Sequence, residues 1–311
     1  MYQNLIPSLP MTRCLPLSSW IRVALVIIAA TQPAWTQPPA SRIYLFTIGT
    51  DEGQYTLGDP SLLTAYNPEG YNNHPYFMSD SVLLAVSQMP GQDQPDIYAL
   101  DHKRGLRQRF TVTRAGEYSP ALMPDYANLT AVRMEFQDGD TLLRLWKFPL
   151  RGNGEGQVVF PKLRNLGYYH WLTTTQAAVF LVDDPPLLAV ATLFEDGVDT
   201  IAAGVGRCFR TGPKGRLYYL RKVHPQRWEI MAWDPKSGRS RFVATALPGS
   251  EDFALTSAGD LLMGSGNTLY ALRPGDDRQW QAIADLSPLG IGRITRLALH
   301  PAGLLAVVVE D

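Results

Sequence analysis

Beyond about residue 40 the polar and apolar positions show no sustained helical period. Short β-branched and aromatic runs alternate with clusters of Gly, Pro, Asn and Asp, which predicts an all-β fold. One apolar strand recurs at Ser81–Val86, Asn128–Arg133, Ala177–Val182, Arg216–Leu220, Asp260–Met263 and Gly303–Val309. These are about six copies at an average step of roughly 44 residues, within the range of a four-stranded propeller blade. Most copies are near-continuous apolar runs, as strands covered on both faces should be.

The segments around each copy complete the unit. Tight reversals precede several of them, as in Met78-Ser79-Asp80-Ser81, Met123-Pro124-Asp125-Tyr126, Thr256-Ser257-Ala258-Gly259 and His300-Pro301-Ala302-Gly303. Alternating strands follow at Asp96–Leu100, Leu143–Phe148, Glu229–Trp233 and Thr268–Leu272. The third copy is degenerate around Leu187 to Thr200, where the blade count is weakest. The last apolar strand has no third or fourth strand after it, whereas Arg42–Thr47 and Ser61–Ala65 are orphans of the missing types. Pairing the two would close a shared blade and leave no open sheet edge. The expectation is therefore a single six-bladed β-propeller over residues 37–311, closed by N- and C-terminal strands.

The segment His74-Pro75-Tyr76-Phe77-Met78-Ser79-Asp80, running into Ser81–Leu84, and the segment Glu117-Tyr118-Ser119-Pro120-Ala121-Leu122-Met123-Pro124-Asp125 resemble the TolB-like, or PD40, propeller repeat. That repeat has a Ser-Pro or His-Pro, a hydrophobic pair, Pro-Asp-Gly and an apolar strand. Ser81 and Tyr126 stand where its turn glycine would be. The resemblance implies a periplasmic or exported propeller. It carries over no partner.

The N-terminus points the same way. Arg13 and Arg22 precede the apolar run Val23–Ala30, and a polar exit with small side chains follows, as in a secretory signal peptide over residues 1–36. Ala34 and Thr36 fit the positions a signal peptidase reads, and Met11 offers an alternative start. The run is far shorter than the roughly 20 residues of a membrane span. Cleavage would make the chain two charges more negative than its overall -1 and leave Cys208 without a disulfide partner. Hydrophobic content of 45% with 18% charged residues excludes disorder. No basic run suggests nucleic acid.

Candidate chemistry lies at the entry to each innermost strand: Asn73 and His74, Glu117 and Tyr118, Tyr169 and His170, Arg207, Glu251 and Asp252, and Arg293 and Arg296. If the ring closes, they converge on one mixed-charge funnel. The binding set is His74, Glu117, Tyr118, His170, Trp171, Arg207, Glu251, Asp252 and Arg296, suited to a protein, peptide or small ligand. No catalytic residue, cofactor or metal is assigned. Two alternatives stay open. One is a metal-dependent hydrolase of the gluconolactonase kind, using the funnel acids and histidines. The other is a structural envelope protein acting through its outer loops. Gly-x-Ser-x-Gly is missing, Cys208 reads as structural, and Gly152–Gly156 reads as a hairpin turn.

Overall fold

The computed structural model describes residues 38–151, 156–277 and 279–310. The signal-peptide expectation and most of the 152–156 turn lie outside the described residues. The described residues form six antiparallel sheets and no α-helix. Five sheets are blades of four consecutive strands. Blade one begins with Tyr71–Phe77, blade two with Gly116–Leu122, blade three with Leu166–Trp171, blade four with Val205–Thr211 and blade five with Phe253–Leu255.

Blade six is shared between the chain ends. Arg293–His300 and Leu304–Glu310 come from the C-terminal side, and Ser41–Asp51 from the N-terminal side. Ser41 pairs with Glu310, and the register continues without a slip to Thr47 opposite Leu304. The outer position is divided between Gln54–Leu57 and Ser61–Leu62, each pairing with part of Ser41–Asp51. The six-bladed ring and its closure thus follow the pattern in the sequence. The segment around Leu187 is more regular than its sequence suggests, forming the hairpin Leu187–Thr192 with Val198–Ala203.

The core is six apolar clusters, one at each junction between neighbouring blades. Side chains alternate across a strand, so one strand feeds two clusters. In blade one, Leu83 and Ala85 pack toward blade six, while Leu84 and Val86 pack toward blade two. In blade six, Leu305, Val307 and Val309 face blade five, while Ala306 and Val308 face blade one. Two buried faces explain why these strands are continuous apolar runs.

A buried polar latch joins the shared blade to blade one. The Asn72 amide donates to Ser41 Oγ at 2.9 Å, and Asn72 Nδ2 donates to the carbonyls of Ser41 and Asn67, both at 2.7 Å. Asn72 Oδ1 accepts from Ser87 Oγ at 2.8 Å and from Asn67 Nδ2 at 3.1 Å.

Candidate functional site

The first strands of the blades, with the residues leading into them, surround one cavity of about 300 Å³ on the ring axis. All six blades contribute to its lining. β-Bulges set which side chains reach it. Registers slip between Asn73 and Tyr76, between Tyr118 and Ala121, and between Val205 and Phe209. A bulge breaks strict alternation and re-aims side chains. Arg207 and Arg210 therefore both line the cavity, although their odd spacing would put them on opposite faces of a regular strand.

Six of the nine expected binding residues line the cavity: His74, His170, Trp171, Arg207, Asp252 and Arg296. Three do not. Glu117 is fully buried and faces its own blade, accepting from Arg133 Nε at 3.0 Å and Thr113 Oγ1 at 2.6 Å. Burial pushes its pKa up, against the pull of Thr113 and Arg133. Glu251 turns toward Lys222, with Arg207 Nε 3.7 Å away. Tyr118 stands behind the wall, its ring edge-on to His74 with centroids 5.9 Å apart. Of the other polar entries, Tyr169 lines the cavity, Asn73 caps the His74 amide at 2.8 Å, and Arg293 is exposed and paired with Glu310.

Both histidines are held neutral. Arg296 Nη1 lies 3.2 Å from His74 Nδ1. A guanidinium only donates, so Nδ1 accepts, and the proton sits on Nε2, 2.9 Å from the Tyr71 hydroxyl. Burial, then Arg296 and Arg207, hold the His74 pKa well below the usual imidazole value. His170 Nε2 accepts from the Thr211 amide at 3.2 Å, leaving its proton on Nδ1. Burial and Arg210 lower the His170 pKa to about 4.

The charged groups of the lining are thus Arg207, Arg210 and Arg296 against Asp252. Asp252 Oδ1 accepts from the Leu297 amide at 2.9 Å and lies 3.6 Å from Arg210 Nη2. Arg210 also donates to the Leu297 carbonyl at 3.0 Å, tying blades four, five and six together at the axis. The aromatic wall is anchored to blade two, where Thr130 Oγ1 accepts from Trp171 Nε1 at 3.0 Å and from the Tyr169 hydroxyl at 2.9 Å. Ser119, Tyr168 and Arg210 line the cavity, and Tyr71 backs His74, although the sequence reading passed over them. For Ser119 a signal was present, since it precedes Pro120 as His74 precedes Pro75.

No group of three His, Cys, Asp or Glu among the described residues is arranged to hold a metal. The reason is visible in the acids: Glu117 and Glu251 are committed to cations outside the cavity. Cys208 is buried, exchanging weak hydrogen bonds with the Phe253 backbone at 3.3 and 3.4 Å.

Together these features define a six-bladed propeller with a closed ring and a polar axial cavity. Among solved structures the fold is that of the TolB-type propellers. A putative TolB from Agrobacterium tumefaciens matches with a TM-score of 0.63 and 13% identity, covering 88% of this chain and 99% of that one. TolB from Acinetobacter baumannii matches at 0.54 and 10% identity, covering 88% and 64%. A chain from a nidogen/laminin complex matches at 0.61 and 11% identity, covering 86% and 98%. At these identities the likeness is one of fold. No family model matches the sequence, and no curated protein does.

Proposed function

We propose that this chain is an exported, non-catalytic recognition protein that takes a protein, peptide or small ligand into the axial cavity. The observation that carries this reading is the convergence of all six blades on one cavity holding three guanidiniums, one carboxylate and two neutral histidines. Such a lining offers many oriented donors and no free carboxylate pair for acid–base work. The nidogen/laminin match shows that a chain of this fold occurs in a protein complex, which is compatible with a recognition role.

Export rests on the basic-apolar-polar pattern of residues 1–36, and among the described residues no helix is long and apolar enough to cross a membrane. N-terminal sequencing of the exported product should read from near Gln37.

Site-specific photo-crosslinking in producing cells tests the recognition surface. A crosslinker replacing Met123, which lines the cavity, should capture a ligand, while one replacing the exposed Phe242 on an outer strand should not. Capture at Phe242 alone would favour the structural envelope reading.

A further inference from the structure

We infer that the group recognised in the axial cavity is a carboxylate on an apolar body, bound by the guanidiniums of Arg296 and Arg207. This rests on the cavity being the recognition site.

The first reason is uncompensated charge. Arg296 forms no ion pair among the described residues. Its Cζ lies over the Tyr168 ring, 5.6 Å from the centroid, and its near partners, Tyr168 and His74 Nδ1, carry no formal charge. The nearby carboxylate, Asp252, is occupied by the Leu297 amide and Arg210. His74 is neutral and balances nothing. Arg207 has only the 3.7 Å approach to Glu251, which Lys222 already holds.

The second reason is unused hydrogen bonding. The Nε atoms of Arg207 and Arg296 are both buried without a hydrogen-bond partner, the 3.7 Å from Arg207 Nε to Glu251 being too long for one. Buried polar groups are ordinarily satisfied, so these two donors in the cavity lining call for an acceptor that the chain itself does not supply. Both residues line this one cavity, and Arg296 reaches His74 directly.

The third reason is shape. A planar guanidinium matches a carboxylate through paired donors, which an ammonium does not. Tyr168, Trp171 and Phe209 provide flat apolar walls beside the cations. A volume of about 300 Å³ equals roughly ten waters at about 30 Å³ each, enough for a carboxylate and one large side chain. A peptide C-terminus and a free arylalkyl acid share this chemistry.

The test is calorimetric titration of the purified full chain with N-acetyl-Leu-Phe, its C-terminal amide, 3-phenylpropionate and inorganic phosphate. The acid should bind at least about tenfold more tightly than the amide, as loss of a charge-assisted pair implies. Binding of the peptide acid alone identifies a chain end, and binding of phenylpropionate as well identifies a free acid; either supports the inference. Arg296→Lys, which keeps the charge and loses the fork, should remove most of the discrimination, with folding checked by circular dichroism. Arg207→Lys is the second variant should the first fail to fold. Equal affinity for acid and amide, binding of phosphate but no carboxylate, or no binding at all would overturn it. Crosslinking at Met123 would persist in those cases if the cavity recognises something else, which separates failure of this inference from failure of the recognition reading.

Discussion

His74 Nδ1 and Ser119 Oγ meet at 2.9 Å, and the two residues hold the same left-handed backbone on neighbouring blades, each with φ of 52°. Each also precedes a proline and sits in a register slip of its inner strand. A left-handed non-glycine residue costs about 1–2 kcal/mol. That strain, held on two blades at the cavity wall, is the backbone counterpart of the X-Pro motif in the sequence.

Replacement of Ser119 should therefore invert the ordinary ranking of glycine and alanine. In a regular strand Gly is worse than Ala by about 0.5–1 kcal/mol. Here Ser119→Gly releases the strain that Ser119→Ala retains, while both lose the bond to His74. Urea unfolding should find the glycine variant more stable by about 1 kcal/mol. An alanine variant equal to or above it would contradict the strained backbone.

Acid should weaken the fold between about pH 6.5 and 4. An unfolded imidazole takes a proton near 6.5, whereas folded His170 resists until about 4, and His74 is also depressed. Across that window the unfolded state binds more protons, so the stabilisation present above 6.5 is lost as pH falls. Glu117, with its raised pKa, works in the opposite sense. Melting temperatures of His170→Gln, which keeps an acceptor for Thr211, should fall less steeply with acid than those of the parent. Parallel curves would refute the assignment.

The ring should depend on Asn72 more than its surface-exposed neighbours. Its side chain satisfies buried groups on Ser41, Asn67 and Ser87 at once. Asn72→Ala leaves several of them unpaired, and chemical denaturation should show a loss of about 2–4 kcal/mol. A loss under about 0.5 kcal/mol would mean that the strand pairing of blade six closes the ring unaided.

Cys208 should be inert in the native state. Burial raises its thiol to about 12, so almost no thiolate forms at pH 8. Iodoacetamide followed by mass spectrometry should label it only in denaturant. Native labelling at the rate of a free thiol would place it outside the core described above.

Much of the architecture was legible because it is written in local rules. Leu83 to Val86 and Leu305 to Val309 are apolar at every position, as a strand buried on both faces requires, and six largely apolar runs at steps of roughly 44 residues point to a ring. The orphan Arg42–Thr47 likewise announced its partner by lacking one. Tyr126 shows the limit of such rules: it stands at the turn glycine position and takes the glycine backbone, with φ of 55°.

What the sequence by itself determined is thus the repeat, the ring and the belt of polar residues at its axis. The tertiary structure decided which of those residues face one another. Glu117 and Glu251 read as funnel acids, yet Arg133 and Lys222 draw them away, and the bulge before Phe209 brings in Arg210. An acid's counter-charge comes from another strand, and a bulge changes side-chain direction without changing composition. Neither is visible along the chain, and together they turn an expected mixed-charge funnel into a cationic one.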